Sequence, residues 1–193
     1  MQTINPELTF QIILRAQSGD RQAFAALFEQ YKNLVYRSAY LILGDSHDAE
    51  DALQEVFVLV YRSLSGFDPH KGAFTTWLHR ITINYCLNHR RKRNLGSVHL
   101  DEIILKSDFP DLRMADGEAI WQAIRDLSER QRVVVILRFY WELSYAEVAQ
   151  ILEIPLGTVK SRLELAIKTL RQALEKQGFR PGPAPDVEVA NEL

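Results

Sequence analysis

The sequence predicts an all-α protein built as two small helical domains joined by a flexible linker. Apolar residues recur at three- and four-residue steps, as in Phe24, Leu27, Phe28, Tyr31, Leu34 and Val35, which is helical spacing. That periodicity lapses from Asn94 to Asp116, where Gly96 and Pro110 interrupt the chain and Asp101, Glu102, Asp108, Asp111 and Asp116 outnumber Lys106 and Arg113. Hydrophobic residues make up 47% of the 193, enough for a separate core on either side of the lapse.

These observations divide the chain into a first domain (1–93), an acidic linker (94–116), a second domain (117–178) and a tail (179–193). The tail carries three prolines and three acids and no core pattern, so it reads as disordered, with a docking peptide as the alternative. The linker, acidic between two basic regions, is expected to lie across one of them when no nucleic acid is bound.

In the first domain the helical text runs from about Pro6 to Leu43 and breaks at Gly44-Asp45. In the next segment Ala52, Leu53, Val56, Phe57, Val60 and Leu64 form the stripe to be buried, while Asp45, Asp48, Glu50, Asp51 and Glu55 crowd its start. Acids near a helix N-terminus favour the helix dipole, which accounts for two or three of the five. The rest, with Gln54, read as a partner surface.

Gly66, Asp68-Pro69 and Gly72 mark a loop into FTTWLHRITINYCLNHRRKR, a helix with Trp77, Leu78, Ile81 and Tyr85 on one face and Thr75 or Thr76 placed to cap it. It ends in Arg90, Arg91, Lys92 and Arg93, and no acid occurs between Asp68 and Asp101, although the whole chain has a net charge of -2. Cations at a helix C-terminus suit its dipole, but four in a row with rings alongside also suit phosphates and unstacked bases. Pattern alone leaves nucleic acid and a solvated basic face both open. Three amphipathic helices ending in this one make a compact unit of about 90 residues.

In the second domain Ile120, Trp121, Ile124 and Leu127 form a short helical stripe. Ser128 with Gln131, and Ser144 with Glu147, match capping boxes. The first box opens a helix with Val134, Val135, Leu137, Arg138 and Trp141 that ends near Glu142. The second opens YAEVAQIL; then Glu153, Ile154 and Pro155 turn the chain, Gly157-Thr158 restarts it, and Val159, Leu163, Ile167, Leu170 and Leu174 line a longer helix. Short helix, tight turn and longer helix are the layout of a helix-turn-helix. The opposite face of the longer helix carries Thr158, Lys160, Ser161, Arg162, Lys168 and Arg171, donor types that reach phosphates and base edges in a major groove.

Together the two domains resemble the extracytoplasmic-function sigma factors of the bacterial sigma-70 family. DAEDALQEVFVLVYRSL and GAFTTWLHRITINYCLNHRRKR match region 2, LSERQRVVVILRFYWELSYAEVAQILEIPLGTVKSRL matches region 4, and the likeness covers about residues 20–177. The resemblance implies that Asp48, Asp51, Gln54 and Glu55 dock on the clamp helices of core RNA polymerase. It implies that the basic helix and the loop before it open and read the minus-ten element, with Arg80, Asn84, Arg90, Arg91, Lys92 and Arg93 in that role. Thr158, Lys160, Ser161 and Arg162, joined by Lys168 and Arg171 from the helix face, would read the minus-thirty-five element of promoter DNA. It also implies an anti-sigma factor as partner.

Two departures stand out. Leu165, Ala166 and Ile167 replace a frequent Arg-Ala-Arg; Ile167 continues the buried stripe, while Leu165 exchanges a phosphate contact for an exposed apolar group. Ser128 stands where proline is usual and keeps helix-start chemistry.

Several classes are excluded by the sequence. Its start, MQTINPELTF, lacks a leader pattern, and the longest apolar run, Val56 to Tyr61, is far short of the ~20 residues that span a membrane. A cytoplasmic protein with no membrane insertion follows. Cys86 is the only cysteine, which rules out an internal disulfide and a cysteine zinc site and reads as a small buried apolar residue. His70, His79, His89 and His99 share no metal-ligand spacing, and Asp48 and Asp51 sit on an exposed helix start, so no enzyme, metal, cofactor or small-molecule substrate is expected. The alternative function is a freestanding helix-turn-helix regulator, which leaves the acidic and basic helices of the first domain without a task.

Overall fold

The computed structural model describes residues 6–96 and 115–178. Among the described residues every regular element is helical: α1 (Pro6–Gln17), α2 (Arg21–Leu43), α3 (Ser46–Ser63), α4 (Phe74–Gly96), α5 (Ala115–Arg125), α6 (Glu129–Val135), α7 (Tyr145–Leu152) and α8 (Leu156–Lys176). A 3-10 turn, Leu64–Gly66, follows α3, and a π-helical segment, Ile136–Tyr140, follows α6. The expected contact of the acidic linker with a basic region, and the expected disorder of the tail, lie outside the described residues.

The first unit has four helices where the periodicity predicts three. A break at Ser18-Gly19-Asp20 separates α1 from α2, with Gly19 at φ 91° and the Asp20 carboxylate accepting from the N–H groups of Gln22 (2.9 Å) and Ala23 (3.1 Å). Apolar spacing is similar on both sides of the break, so it hides in the sequence; the N-capping aspartate is its one local signature. Gly44 closes α2 at φ 81°, donating to the Tyr40 carbonyl at 2.8 Å, and Asp45 caps α3 by accepting from Asp48 N–H at 2.9 Å. The end of α1 fixes the loop beyond α3, because the Gln17 amide donates to the carbonyls of Leu64 (2.8 Å) and Phe67 (2.6 Å). Helix α4 begins at Phe74, so Thr75 and Thr76 lie in its first turn and do not cap it.

Leu27, Tyr31, Val35, Val56, Val60 and Leu78 fill the core of this unit. Phe24, Phe28 and Phe57 meet edge to face beside it, and Phe67, Phe74 and Trp77 form a second ring cluster at the start of α4. Such ring pairs add to burial, and here they fix the base of the loop leading into α4.

In the second unit the Ser144 box is reciprocal: Glu147 N–H donates to the Ser144 hydroxyl (3.2 Å), and Ser144 N–H donates to the Glu147 carboxylate (2.8 Å). At Ser128 the Gln131 side chain accepts from the backbone N–H at 3.1 Å and the hydroxyl at 2.6 Å. The chain leaves the π segment through Glu142 (φ 55°) and turns between α7 and α8 through Glu153 (φ 53°). The buried stripe of α8 is Val159, Leu163 and Ala166, so the expectation for Ile167 is corrected: it is half-buried, and Ala166 takes the innermost position.

The two units pack on each other. One continuous core joins Tyr40, Leu41, Ile42, Ile83 and Cys86 of the first to Trp121, Val133, Leu137, Val148 and Ile151 of the second. Helix α4 is therefore buried on a second face that its Trp77, Ile81 and Tyr85 stripe did not announce: His79, Thr82, Ile83 and Cys86 all lie inside. Burial drives the Cys86 thiol up to about 12, which makes it an inert filler as the sequence suggests.

Candidate functional site

Helix α3 presents the acidic face. Its buried stripe turns Asp51, Gln54 and Glu55 outward, with Asp48 half-buried at the head of the row. The row continues into apolar surface at Val58 (41% exposed) and Leu59 (39%). His47 approaches Asp51 at 3.9 Å. The field of these acids reaches α4, where the Tyr85 phenol is pushed up by burial first and then by Glu55, with Asp51 and Asp48 among the smaller contributors.

Where α3 ends, it forms with α4 a groove of about 680 Å3. Arg80, Asn84 and Lys92 of the expected set line it, joined by Arg62, Asn88, Trp77 and the ring pair Tyr85 and His89, stacked at 5.9 Å and 20°. Sequence reasoning missed Arg62 and Asn88. The signal for Asn88 was its place one turn after Asn84; Arg62 comes from another helix and only the packing brings it in. Cations, amides and accessible rings in one groove are the chemistry of a single-strand path.

The described side chains among the four consecutive cations do not all face outward. Arg91 and Lys92 are exposed, but Arg90 turns inward, donating to the Ile42 carbonyl at 3.1 Å and facing Glu129 at 4.0 Å. The Arg93 side chain lies outside the described residues. Arg80 reaches across to the second unit and pairs with Glu153 at 3.0 Å. Beside that pair a cavity of about 320 Å3 opens between the loop Gly66 to Ala73 and Gln150 of α7, with Lys71, Thr76 and Trp77 in its walls.

On α8 the expected face is present. Ser161 and Lys168 are exposed and Thr158, Lys160, Arg162 and Arg171 half-exposed, with the Ser161 hydroxyl donating to the Thr158 carbonyl at 3.1 Å. Leu165 stands 56% exposed among them. The histidines weighed as ligands are scattered: His70 meets the Phe10 ring, His79 the Trp141 ring, and His89 stacks on Tyr85. His99 is outside the described residues. No group of three potential ligands converges among those described, and no described helix is long and apolar enough to cross a membrane.

Two family models match this chain, Sigma-70 region 2 over residues 27–95 and Sigma-70, region 4 over residues 117–170. Among curated relatives, the ECF RNA polymerase sigma factor SigW of Bacillus subtilis is 33% identical over 177 residues, covering 84% of this chain and 94% of its own. The chain belongs to the ECF sigma factors of the sigma-70 family. The ECF RNA polymerase sigma factor SigE of Mycolicibacterium smegmatis is 35% identical over 172 residues, covering 82% of this sigma factor and 65% of its own length. Solved structures share the fold: RpoE of Bartonella quintana in complex with the anti-sigma factor NepR (TM-score 0.66, 23% identity, 79% of this chain and 96% of that one), and CnrH in complex with the cytosolic domain of CnrY (TM-score 0.65, 23% identity, 86% and 96%).

In this sigma factor region 2 falls on α2 to α4 and region 4 on α5 to most of α8. The three surfaces singled out in the sequence lie inside the matched segments, except for Arg171, one residue beyond the second. The freestanding regulator is set aside, because the likeness to SigW runs through both units and not the helix-turn-helix alone.

Proposed function

We propose that this sigma factor binds core RNA polymerase through Asp48, Asp51, Gln54 and Glu55 on α3 and directs it to promoters with two elements. The minus-ten element is opened and read by α4 and the loop before it, through Arg80, Asn84, Arg91, Lys92 and Arg93, with Arg62 and Asn88 added from the shared groove. The minus-thirty-five element is read by Thr158, Lys160, Ser161 and Arg162 at the start of α8, with Lys168 and Arg171 on phosphates. The observation that carries this reading is the division of one small unit into an acidic start on α3 and a basic groove against α4.

The energetics suit a subunit rather than an independent DNA binder. Taking a base out of the stack costs a few kcal/mol, which a short cationic groove and one recognition helix offset only when polymerase supplies further contacts. The sigma factor acts by placing polymerase and holding a melted strand, with no catalytic centre of its own, in the cytoplasm. An anti-sigma factor that covers the polymerase-binding face is the partner expected to restrain it, as NepR accompanies RpoE in the Bartonella complex.

Pull-down with purified core polymerase tests the first step. The unmodified chain is expected to bind, and reversal of charge at Asp51 and Glu55 to Lys is expected to weaken binding at least tenfold with unfolding unchanged. Equal binding by both would remove α3 from the polymerase interface.

A further inference from the structure

We propose that Leu165 sets promoter specificity by reading the C5-methyl group of a thymine in the minus-thirty-five element. The inference rests on the assignment of α8 to that element and names a base that it selects.

Leu165 stands out because of what surrounds it. Val159, Leu163 and Ala166 turn one face of α8 into the core, where the helix packs on α5, α6 and α7. Leu165 lies on the outward side and is 56% exposed. On a helix surface the neighbours of a residue are those three and four positions away, here Ser161, Arg162, Lys168 and Thr169. Each of the four carries a hydrogen-bond donor. A single exposed leucine is ordinary on a protein surface, but this one is ringed by donors on a helix face assigned to DNA. Base edges in the major groove present donors and acceptors at every pair, and the thymine methyl is the apolar group among them.

Its direction suits a base rather than the backbone. Helical side chains lean toward the helix N-terminus, so Leu165 covers the turn that carries Ser161 and Arg162. The rise from Ser161 to Leu165 is about 6 Å and base pairs stack about 3.4 Å apart, so the thymine lies within about two steps of the pair beneath Ser161. A phosphate role is closed to this turn. Leucine has no donor, and Glu164, exposed beside it, brings a carboxylate that phosphates repel; anchoring falls to Lys168 and Arg171 further along. The Thr169 hydroxyl donates to the Leu165 carbonyl at 2.9 Å, a bond to the backbone that any residue at 165 retains. Leu165 can therefore be exchanged without disturbing α8.

Deoxyuridine tests the contact, because its base differs from thymine only by that methyl group. Holoenzyme is formed from core polymerase and the full-length chain. A promoter fragment mapped with it then carries deoxyuridine for each thymine of the upstream element, one at a time, on either strand. With the unmodified chain one replacement is expected to lower competitive binding about threefold, the effect of one methyl-sized group left unburied. With Leu165→Ala the same replacement should have no effect. Leu165→Arg should lose the methyl dependence too, while the slope of log affinity against log salt steepens by about one. An element with no thymine on either strand would overturn the proposal and leave the assignment of α8 standing, as would an element whose wholesale replacement matters although no single deoxyuridine does. A methyl effect that persists in Leu165→Ala would overturn it as well, since another side chain would then be the reader. Loss of core binding by Leu165→Ala would overturn it in favour of a protein contact. Indifference of the unmodified holoenzyme to replacement of the entire element would overturn the proposal and the assignment of α8 together.

Discussion

The guanidinium groups of Arg90 and Arg132 converge on one acceptor, the carbonyl oxygen of Ile42, at 3.1 and 3.3 Å. Ile42 lies in the last turn of α2, where carbonyls lack intrahelical partners and carry the negative end of the dipole. Two cations of like charge are held there by the helix terminus and by Glu129 beside Arg90. The arrangement couples the basic helix of region 2 to α6 of region 4.

Arg132 is the more deeply committed of the two. It is buried, donates also to the carbonyls of Ile124 (3.2 Å), Arg125 and Leu127 (3.2 Å), and its pKa is lowered to about 10 by burial first and by Arg90 second. Arg132→Ala is expected to destabilise the fold by about 3–5 kcal/mol, because it leaves several buried carbonyls unpaired and opens a cavity. Arg132→Lys should recover less than half, since an ammonium cannot match the planar fork. Urea unfolding of the three proteins measures both; a loss below about 1 kcal/mol for the alanine variant would show that water replaces the guanidinium.

Arg90 and Lys92 are expected to separate structure from DNA contact. Arg90→Ala should lower stability by about 1–2 kcal/mol through the lost carbonyl bond. Lys92→Ala should leave unfolding unchanged, weaken single-strand binding, and reduce the slope of log affinity against log salt by about one. Identical effects of the two substitutions on salt dependence would return Arg90 to the DNA surface.

His79 gives a pH dependence of known sign. Burial lowers its pKa from 6.5 to about 4, opposed only in part by the charge of Glu147. Between those values the unfolded chain binds a proton that the folded chain refuses. The contribution is therefore complete above about pH 6.5 and is lost as pH falls through that range, by up to ~3 kcal/mol. Denaturant midpoints followed from pH 7.5 to 4 should fall more steeply for the unmodified chain than for His79→Gln, and parallel curves would show that His79 titrates normally.

The DNA-facing assignments have their own test. Asn84→Ala should reduce open-complex formation with core binding unchanged. Arg162→Ala should weaken recognition of the minus-thirty-five element by about 1–3 kcal/mol if its guanidinium meets a base edge bidentately. Permanganate footprinting reads the first, and competition between promoters that differ only in the upstream element reads the second.

Local chemistry was the legible part. The Ser144 box, the Asp45 start of α3, the Gly44 stop and the turn before α8 depend on a few neighbouring residues and could be read directly. The hidden parts were long-range. Periodicity marks that a helix has a buried face but not what covers it, so the second face of α4, with polar His79 and Thr82 inside, was announced only by Cys86. Arg132 carried no signal in the sequence because its partners are backbone carbonyls of α2 and of α5 and its following turn, which have no side-chain identity to recognise. Arg62 joined the groove only when α3 was laid against α4. The docking of region 4 on region 2 was invisible for the same reason: the residues that make it are ordinary core types on helices far apart in the chain.

Transcription by purified core polymerase on a genomic fragment library, with and without this protein, tests the central claim most directly. The sigma-factor account predicts new transcript starts that share two short upstream elements about one and a half to two helical turns apart. Their absence, together with failure to bind core polymerase, would contradict it.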